Sequence, residues 1–164
     1  MGARTLDKRQ VLRLLRQRLA AQLETLTASQ QAAQSGATHD ETRQEHPKDT
    51  RAIEAQYLAR GLADRVETLR AGVTTLAALR LSSFGDDEIG LSALIGVRDE
   101  AGQPAVYFLV PVGGGETVHV DGHAVQALTP VSPIGRALLE KQVGDEAAVD
   151  LPSGRVRLVV EWVA

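Results

Sequence analysis

Leu12, Leu15, Leu19, Leu23 and Leu26 recur at intervals of 3, 4, 4 and 3 residues, the spacing that lines one face of an α-helix. A second series, Leu58, Leu62, Val66, Leu69, Val73 and Leu76, recurs at 4, 4, 3, 4 and 3, with Ile53 and Tyr57 just ahead of it. Neither stripe can stay in water at low cost, and the segment between them is short. The pattern therefore predicts an antiparallel helical hairpin in which each stripe buries the other. Helices of about 28 residues, rising ~1.5 Å per residue, would make a rod about 40 Å long. Ser35 and Gly36 are expected to end the first helix, and Pro47 to open the second, where its missing N–H costs nothing. Gly61 alone conflicts, since an interior glycine costs about 1 kcal/mol relative to alanine.

From residue 81 onward the period shortens. "ALIGVRD", "AVYFLVPV", "ETVHVDG" and "RVRLVVEWV" are β-branched or aromatic runs bounded by Gly, Asp and Pro, and read as strands. "DEAGQP" and "VGGGE" read as the turns between them, the latter as a hairpin turn. One helix interrupts the strands: Ser132 can cap it, Pro133 opens it, and "IGRALLEKQ" carries it to Gly144. The expected organisation is α+β, with a helical coiled-coil hairpin over residues 1–80 and a small α+β domain over 81–164. The hairpin tip falls near residues 38–50, and a hinge near 80–86.

Composition narrows the function classes. The 164 residues include no cysteine, which excludes disulfides and thiolate-held zinc or iron–sulfur sites. Arg4, Lys8 and Arg9 are followed by no apolar run like a signal peptide, and no window approaches the ~20 apolar residues that span a bilayer. A cytoplasmic protein with no membrane partner is expected. The net charge of −3 hides a split. Residues 1–80 hold 13 Lys/Arg against 9 Asp/Glu, whereas 81–164 hold 5 against 12, as for modules that meet different surfaces.

The segment joining the helices, "THDETRQEHPKDT", is the most chemically loaded. The zinc motif His-Glu-x-x-His is absent, and a His-x-x-Glu-His reading fails because Thr42 stands at the first histidine. His39 and His46 alone are too few for a closed zinc site, and the spacing is not that of a calcium loop. Two readings remain: a solvated turn, or exposed carboxylates that grip a hard cation once a partner supplies more oxygens. Magnesium suits the second, being held by one or two carboxylates plus ligands from elsewhere. "VGGGE" lacks the Lys-Ser/Thr of a phosphate loop. Arg9, Arg13 and Arg16 share a helix face by spacing and could be solvated or meet RNA or an acidic protein surface. Only 3% of the chain is aromatic, which argues against base stacking. No Ser–His–Asp set can be argued for His119 and His123, so a self-sufficient enzyme is not expected.

A hairpin with an acidic tip ahead of a small α+β domain resembles the bacterial Gre transcript-cleavage factors. "TPVSPIGRALLEKQVGDEAAV", residues 129–149, is similar to that family's Ser-Pro-(Ile/Leu)-x-x-x-Leu-(Ile/Leu)-x-Lys run. "LPSGRVRLVVEWV" resembles its closing strand pair, and "ATHDETRQEHPKDTRAIEAQYLARG" the tip and second helix of a variant branch. The resemblance implies an FKBP-like C-terminal fold that docks on RNA polymerase through Ser132 and Pro133, at the rim of the secondary channel. It implies a tip that approaches the polymerase's catalytic magnesium, where acidic residues help hold a second magnesium ion that the free chain does not retain. RNA polymerase and the nascent RNA and DNA of the elongation complex would be the partners of a monomeric accessory factor, with cleavage done by the polymerase. The usual tip has Asp three residues before a Glu that Asn follows. Here Glu45 fits that Glu, His46 replaces the Asn, and Thr42 stands at the Asp position, so Asp40 or Glu41 takes that role only in a longer loop. The alternative is a relative that occupies the channel without promoting cleavage, or a coiled-coil adaptor. Prolyl isomerase activity is not expected, because Phe84, Tyr107, Phe108 and Trp162 are too few to line the usual pocket.

Overall fold

The computed structural model describes residues 6–42, 50–85 and 87–164, and the side chains among them apart from those of 37–42. Two long helices lead: α1, Lys8–Thr42, and α2, Thr50–Ala78. Helix α1 has 35 residues and runs through Ser35 and Gly36 instead of stopping there. The expectation of an end at Gly36 treated glycine as a stop signal. A Cβ added at Gly36 would meet nothing within 4 Å, and the cost of keeping the residue helical is only about 1 kcal/mol, which the strong helix formers Ala32, Ala33 and Gln34 before it and Ala37 after it offset. Pro47, the expected start of the second helix, lies outside the described residues.

The helices run antiparallel. Near the start of α1, Arg16 lies against the end of α2, while Gln22 and Leu26 face Arg65 and Leu69 further along. The first stripe stands as expected, with Leu12, Leu15 and Leu19 buried and Leu23 and Leu26 half-buried. The second stripe departs from expectation at its beginning. Val66 and Leu76 are buried, but Ile53, Tyr57 and Leu58 are exposed, and Ala52 and Ala59 hold the buried positions instead. Counting back from Val66 in steps of 4 and 3 passes Leu62, Ala59, Ala55 and Ala52, the heptad seam.

The chain groups into two compact units: Gln17–Thr74, and residues up to Arg16 together with Thr75–Ala164. The helix ends nearest the sheet thus fold with it. The sheet has six strands, β1 Leu94–Asp99, β2 Pro104–Leu109, β3 Thr117–Val120, β4 His123–Leu128, β5 Glu146–Leu151 and β6 Gly154–Val163, with α3, Pro133–Leu138, between β4 and β5. Strand order is β3-β4-β2-β1-β6-β5. All neighbours are antiparallel except β2 and β4, which pair in parallel from Val106↔Val125 to Leu109↔Leu128. β3 therefore lies outside β4, and "VGGGE" bridges strands that are not neighbours. The hairpin turn expected at "VGGGE" is found instead at Asp121–Gly122, both with positive φ (50° and 79°), as a two-residue turn requires.

Alternation along the strands buries both faces. One face carries Ile95, Val97, Leu109, Val149, Leu158 and Val160, packed with Ile89 and Leu138. The other carries Leu94, Phe108, Val120 and Val125, each nearly inaccessible, in the same unit as buried Leu6, Val11, Leu12, Leu15 and Leu76. Helix α3 is shorter than its sequence pattern suggested and ends at Leu138. Glu140 turns with φ 64°, and its N–H donates to the Ile89 carbonyl (3.0 Å), while Lys141 accepts from Ile89 N–H (2.8 Å). Pairing with the 87–90 segment leaves no backbone groups there to extend the helix.

Candidate functional site

Three groups of residues bear on function. The first is the end of the hairpin. Asp40 and Glu41 lie in the last turn of α1, which ends at Thr42. Glu45 and His46 lie outside the described residues. The structure thus places Asp40 and Glu41 on one helix by backbone, and their relation to Glu45 falls in the undescribed segment. Among the described residues no three or more His, Cys, Asp or Glu side chains cluster as a metal site.

The second group is the turn into α3. Ser132 is the N-cap, with φ −67° and ψ 152°, and its Oγ accepts from Gly135 N–H (3.1 Å) while donating to the Thr129 carbonyl (2.7 Å). Pro133 follows at N1, where no N–H is needed. A Cβ at Gly135 would fall 2.0 Å from the Thr129 carbonyl oxygen, so only glycine permits so tight a fold-back. The result is a rigid knob. Pro133 is exposed, and Val131 is 75% exposed beside it. Val131 escaped the sequence reading. Its signal is an apolar residue immediately before an N-cap with no apolar partner in the next turn, since Arg136 stands there and bonds the Val131 carbonyl (3.2 Å).

The third group is the arginine face of α1. Arg9 and Arg13 are exposed. Arg16 is engaged: its Nε donates to the Leu76 carbonyl (3.0 Å), and its Nη2 to those of Ala77 (2.8 Å) and Leu79 (3.2 Å). These are carbonyls at the end of α2, which has no basic residue of its own in its last turn. Arg16 therefore serves as a cap supplied by the other helix, and spacing alone could not separate it from its two exposed neighbours. Lys8 lies 5.0 Å from the centroid of the Phe84 ring and donates to the Ser82 carbonyl. Burial lowers its ammonium pKa from the ordinary lysine value.

Comparison with known proteins gives these features a context. Residues 85–164 match the family described as "Transcription elongation factor, GreA/GreB, C-term". "Transcription elongation factor GreA" of Nitratidesulfovibrio vulgaris is 27% identical over 119 residues, 71% of each chain. The protein of the same name from Thermoanaerobacter pseudethanolicus is 28% identical over 96 residues, 58% of each chain. GreA factor homolog 1 (Gfh1) of Thermus thermophilus is 23% identical in structural comparison, covering 91% of this chain and 94% of that one, with a TM-score of 0.37. The C-terminal module, residues 85–164, is the domain that this family model describes, and the chain is similar to GreA proteins over 119 residues. No helix among the described residues is long and apolar enough to cross a membrane.

Proposed function

We propose that this chain is a Gre-family factor that acts on RNA polymerase, sends the end of its helical hairpin into the secondary channel, and stimulates cleavage of backtracked RNA. The observation that carries the reading is the course of α1 to Thr42, which sets Asp40 and Glu41 in its final turn. An acidic residue in the last turn of a helix is in general disfavoured by the negative end of the helix dipole, by about 0.3–1 kcal/mol. Such a placement disfavours the free chain and is relieved by a cation.

The donor set is hard oxygen, which fits magnesium. Glu45, with Asp40 or Glu41, would hold a magnesium ion shared with the polymerase. When bound, that ion would supply charge neutralisation and a more acidic water. The chain's own carboxylates would accept hydrogen bonds from that water and orient it towards the RNA phosphate, and the polymerase performs the hydrolysis. Ser132 and Pro133, with Val131 beside them, form the knob offered for docking at the channel rim, and exposed Arg9 and Arg13 face RNA or polymerase. In this reading the chain is a monomeric accessory factor and no enzyme by itself.

The test uses purified polymerase complexes stalled in the backtracked state. Adding the protein with magnesium should shorten the RNA, and Glu45→Ala should slow this about a hundredfold, as for removal of a group that positions a reacting oxygen. No shortening with the unaltered protein overturns the cleavage role. A second reading is favoured by Thr42 standing where the family's tip has Asp: the hairpin occupies the channel and slows synthesis. It gains if inhibition without cleavage persists when Asp40, Glu41 and Glu45 are neutralised together.

A further inference from the structure

The C-terminal module carries a cleft that the proposed function does not use. Its volume is about 150 Å³, and Tyr107, Ile134, Val149, Val156 and Leu158 form its apolar walls. Asp99 lies in the lining next to Gln103 and Pro104, both exposed, so the acidic end of the cleft is the open one. The dimensions suit a single side chain or a small amphiphile.

The polar groups of this cleft are the unusual part. Asp99 Oδ1 accepts from Gln103 N–H (2.8 Å), and no cation pairs with its carboxylate among the described residues. The nearby arginines are all taken: Arg98 by Glu161 (2.6 Å), Arg155 by Asp150 (3.8 Å) and Arg157 by Glu100 (3.3 Å). Tyr107 is 9% exposed and its hydroxyl has no hydrogen-bond partner among the described residues, yet no fully buried side-chain N or O among them lacks one. The hydroxyl therefore keeps an accessible surface, and the cleft that Tyr107 lines is where it opens. Burial first, and then the charge of Asp99, raise the phenol pKa, which sets the carboxylate within electrostatic reach of the hydroxyl.

An apolar slot that ends in an unpaired carboxylate and a free phenol selects against two ligand classes. A carboxylate would be repelled by Asp99. A purely apolar group would strip water from Asp99 and Tyr107 and return no hydrogen bond. A primary ammonium on a short methylene chain satisfies both ends: the methylenes lie along the walls and the ammonium meets the carboxylate. We propose that this cleft binds an alkylammonium group, and that its occupant in a complex is a lysine side chain of a protein partner. Residues 81–164 carry 12 acidic against 5 basic residues, so the module as a whole attracts basic protein surfaces, and the uncompensated carboxylate of Asp99 is the point in this cleft where a lysine ammonium is met. The ligand class stands on the cleft alone. Failure of the transcript-cleavage assay leaves it untouched.

The test is a titration of the isotopically labelled full-length chain followed by amide NMR, with n-hexylammonium, hexanoate and 1-hexanol as separate probes. n-Hexylammonium should give saturable shifts centred on Ala105, Tyr107, Val149 and Leu158, with a Kd of the order of millimolar for so small a ligand. Hexanoate should give none there, and hexanol should bind at least about tenfold more weakly. Asp99→Asn keeps an oxygen to accept from Gln103 N–H, so the spectrum should stay folded while ammonium affinity falls about tenfold or more. Nα-acetyl-lysine methylamide should shift the same amides as n-hexylammonium. Absence of saturable shifts, equal binding of hexanoate, or unchanged affinity in a folded Asp99→Asn variant would overturn the proposal.

Discussion

Replacing Arg16 by alanine tests the idea that one helix of the hairpin caps the other. The substitution removes three hydrogen bonds, to the carbonyls of Leu76, Ala77 and Leu79 at 3.0, 2.8 and 3.2 Å. A hydrogen bond from a charged donor contributes about 1.5–3 kcal/mol where it is dry. Arg16 is only half-buried, two of the bonds share one nitrogen, and water can reach the carbonyls, so the three cannot be summed. The loss of favourable charge at the end of α2 adds about 0.3–1 kcal/mol. A net cost of about 2 kcal/mol follows, which for a chain of this size is a fall in Tm of about 4–8 °C. Arg16→Lys keeps the charge but loses the planar fork, and should cost about half as much. Arg13→Ala, at an exposed position on the same face, should stay within about 0.5 kcal/mol. Urea unfolding followed by helical circular dichroism gives these differences, and hydrogen exchange should show the amides of residues 77–81 losing protection in Arg16→Ala alone. If Arg16→Ala and Arg13→Ala cost the same, or if protection at 77–81 is unchanged, the capping argument fails.

Two other outcomes follow from the sheet. A Cβ at Gly96 would lie 2.0 Å from Nε1 of Trp162, so Gly96→Ala must push the indole aside, and about 2–3 kcal/mol should be lost. Trp162 is the sole tryptophan, so an unshifted emission spectrum in the folded variant would show that the ring had not moved and refute the clash. Tyr107 should ionise above the ordinary phenol value near 10, because burial, and secondarily the charge of Asp99, disfavour its phenolate. Its contribution to stability is then fully present below pH 10 and is lost as pH rises through the higher folded value. Ultraviolet titration in a Tyr57→Phe background isolates Tyr107, and a midpoint at or below 10 while the chain remains folded would contradict the assignment.

Much of the architecture was legible because long amphipathic stripes leave few alternatives. The leucines of α1 and the Val66–Leu76 part of α2 are large, regularly spaced and bury where the spacing says. The start of α2 misled because Ile53, Tyr57 and Leu58 are more apolar than Ala52, Ala55 and Ala59, yet the heptad register selects the alanines. Hydrophobicity and periodicity disagreed there, and periodicity won. β4 and β5 were missed as separate strands because "HAVQAL" and "EAAVDL" mix polar and small residues, and their pairing depends on partners distant in sequence. The parallel β2–β4 pair has no local signature, so "VGGGE" could not be distinguished from a hairpin turn. At the candidate sites, Ser132 and Pro133 occupy the cap positions that their residue types dictate. The fate of Arg16 depended on where the end of another helix lies, which spacing along α1 does not encode.

The run of alanines at the start of α2 gives the hairpin an uneven grip. Leu15, Leu19, Val66 and Leu76 each remove a large side chain from water near the base, at about 1.5–3 kcal/mol per residue, whereas Ala52 and Ala59 remove little more than a methyl group. Burial at Ala52 and Ala59 therefore contributes less to holding the helices together than burial at Val66 and Leu76.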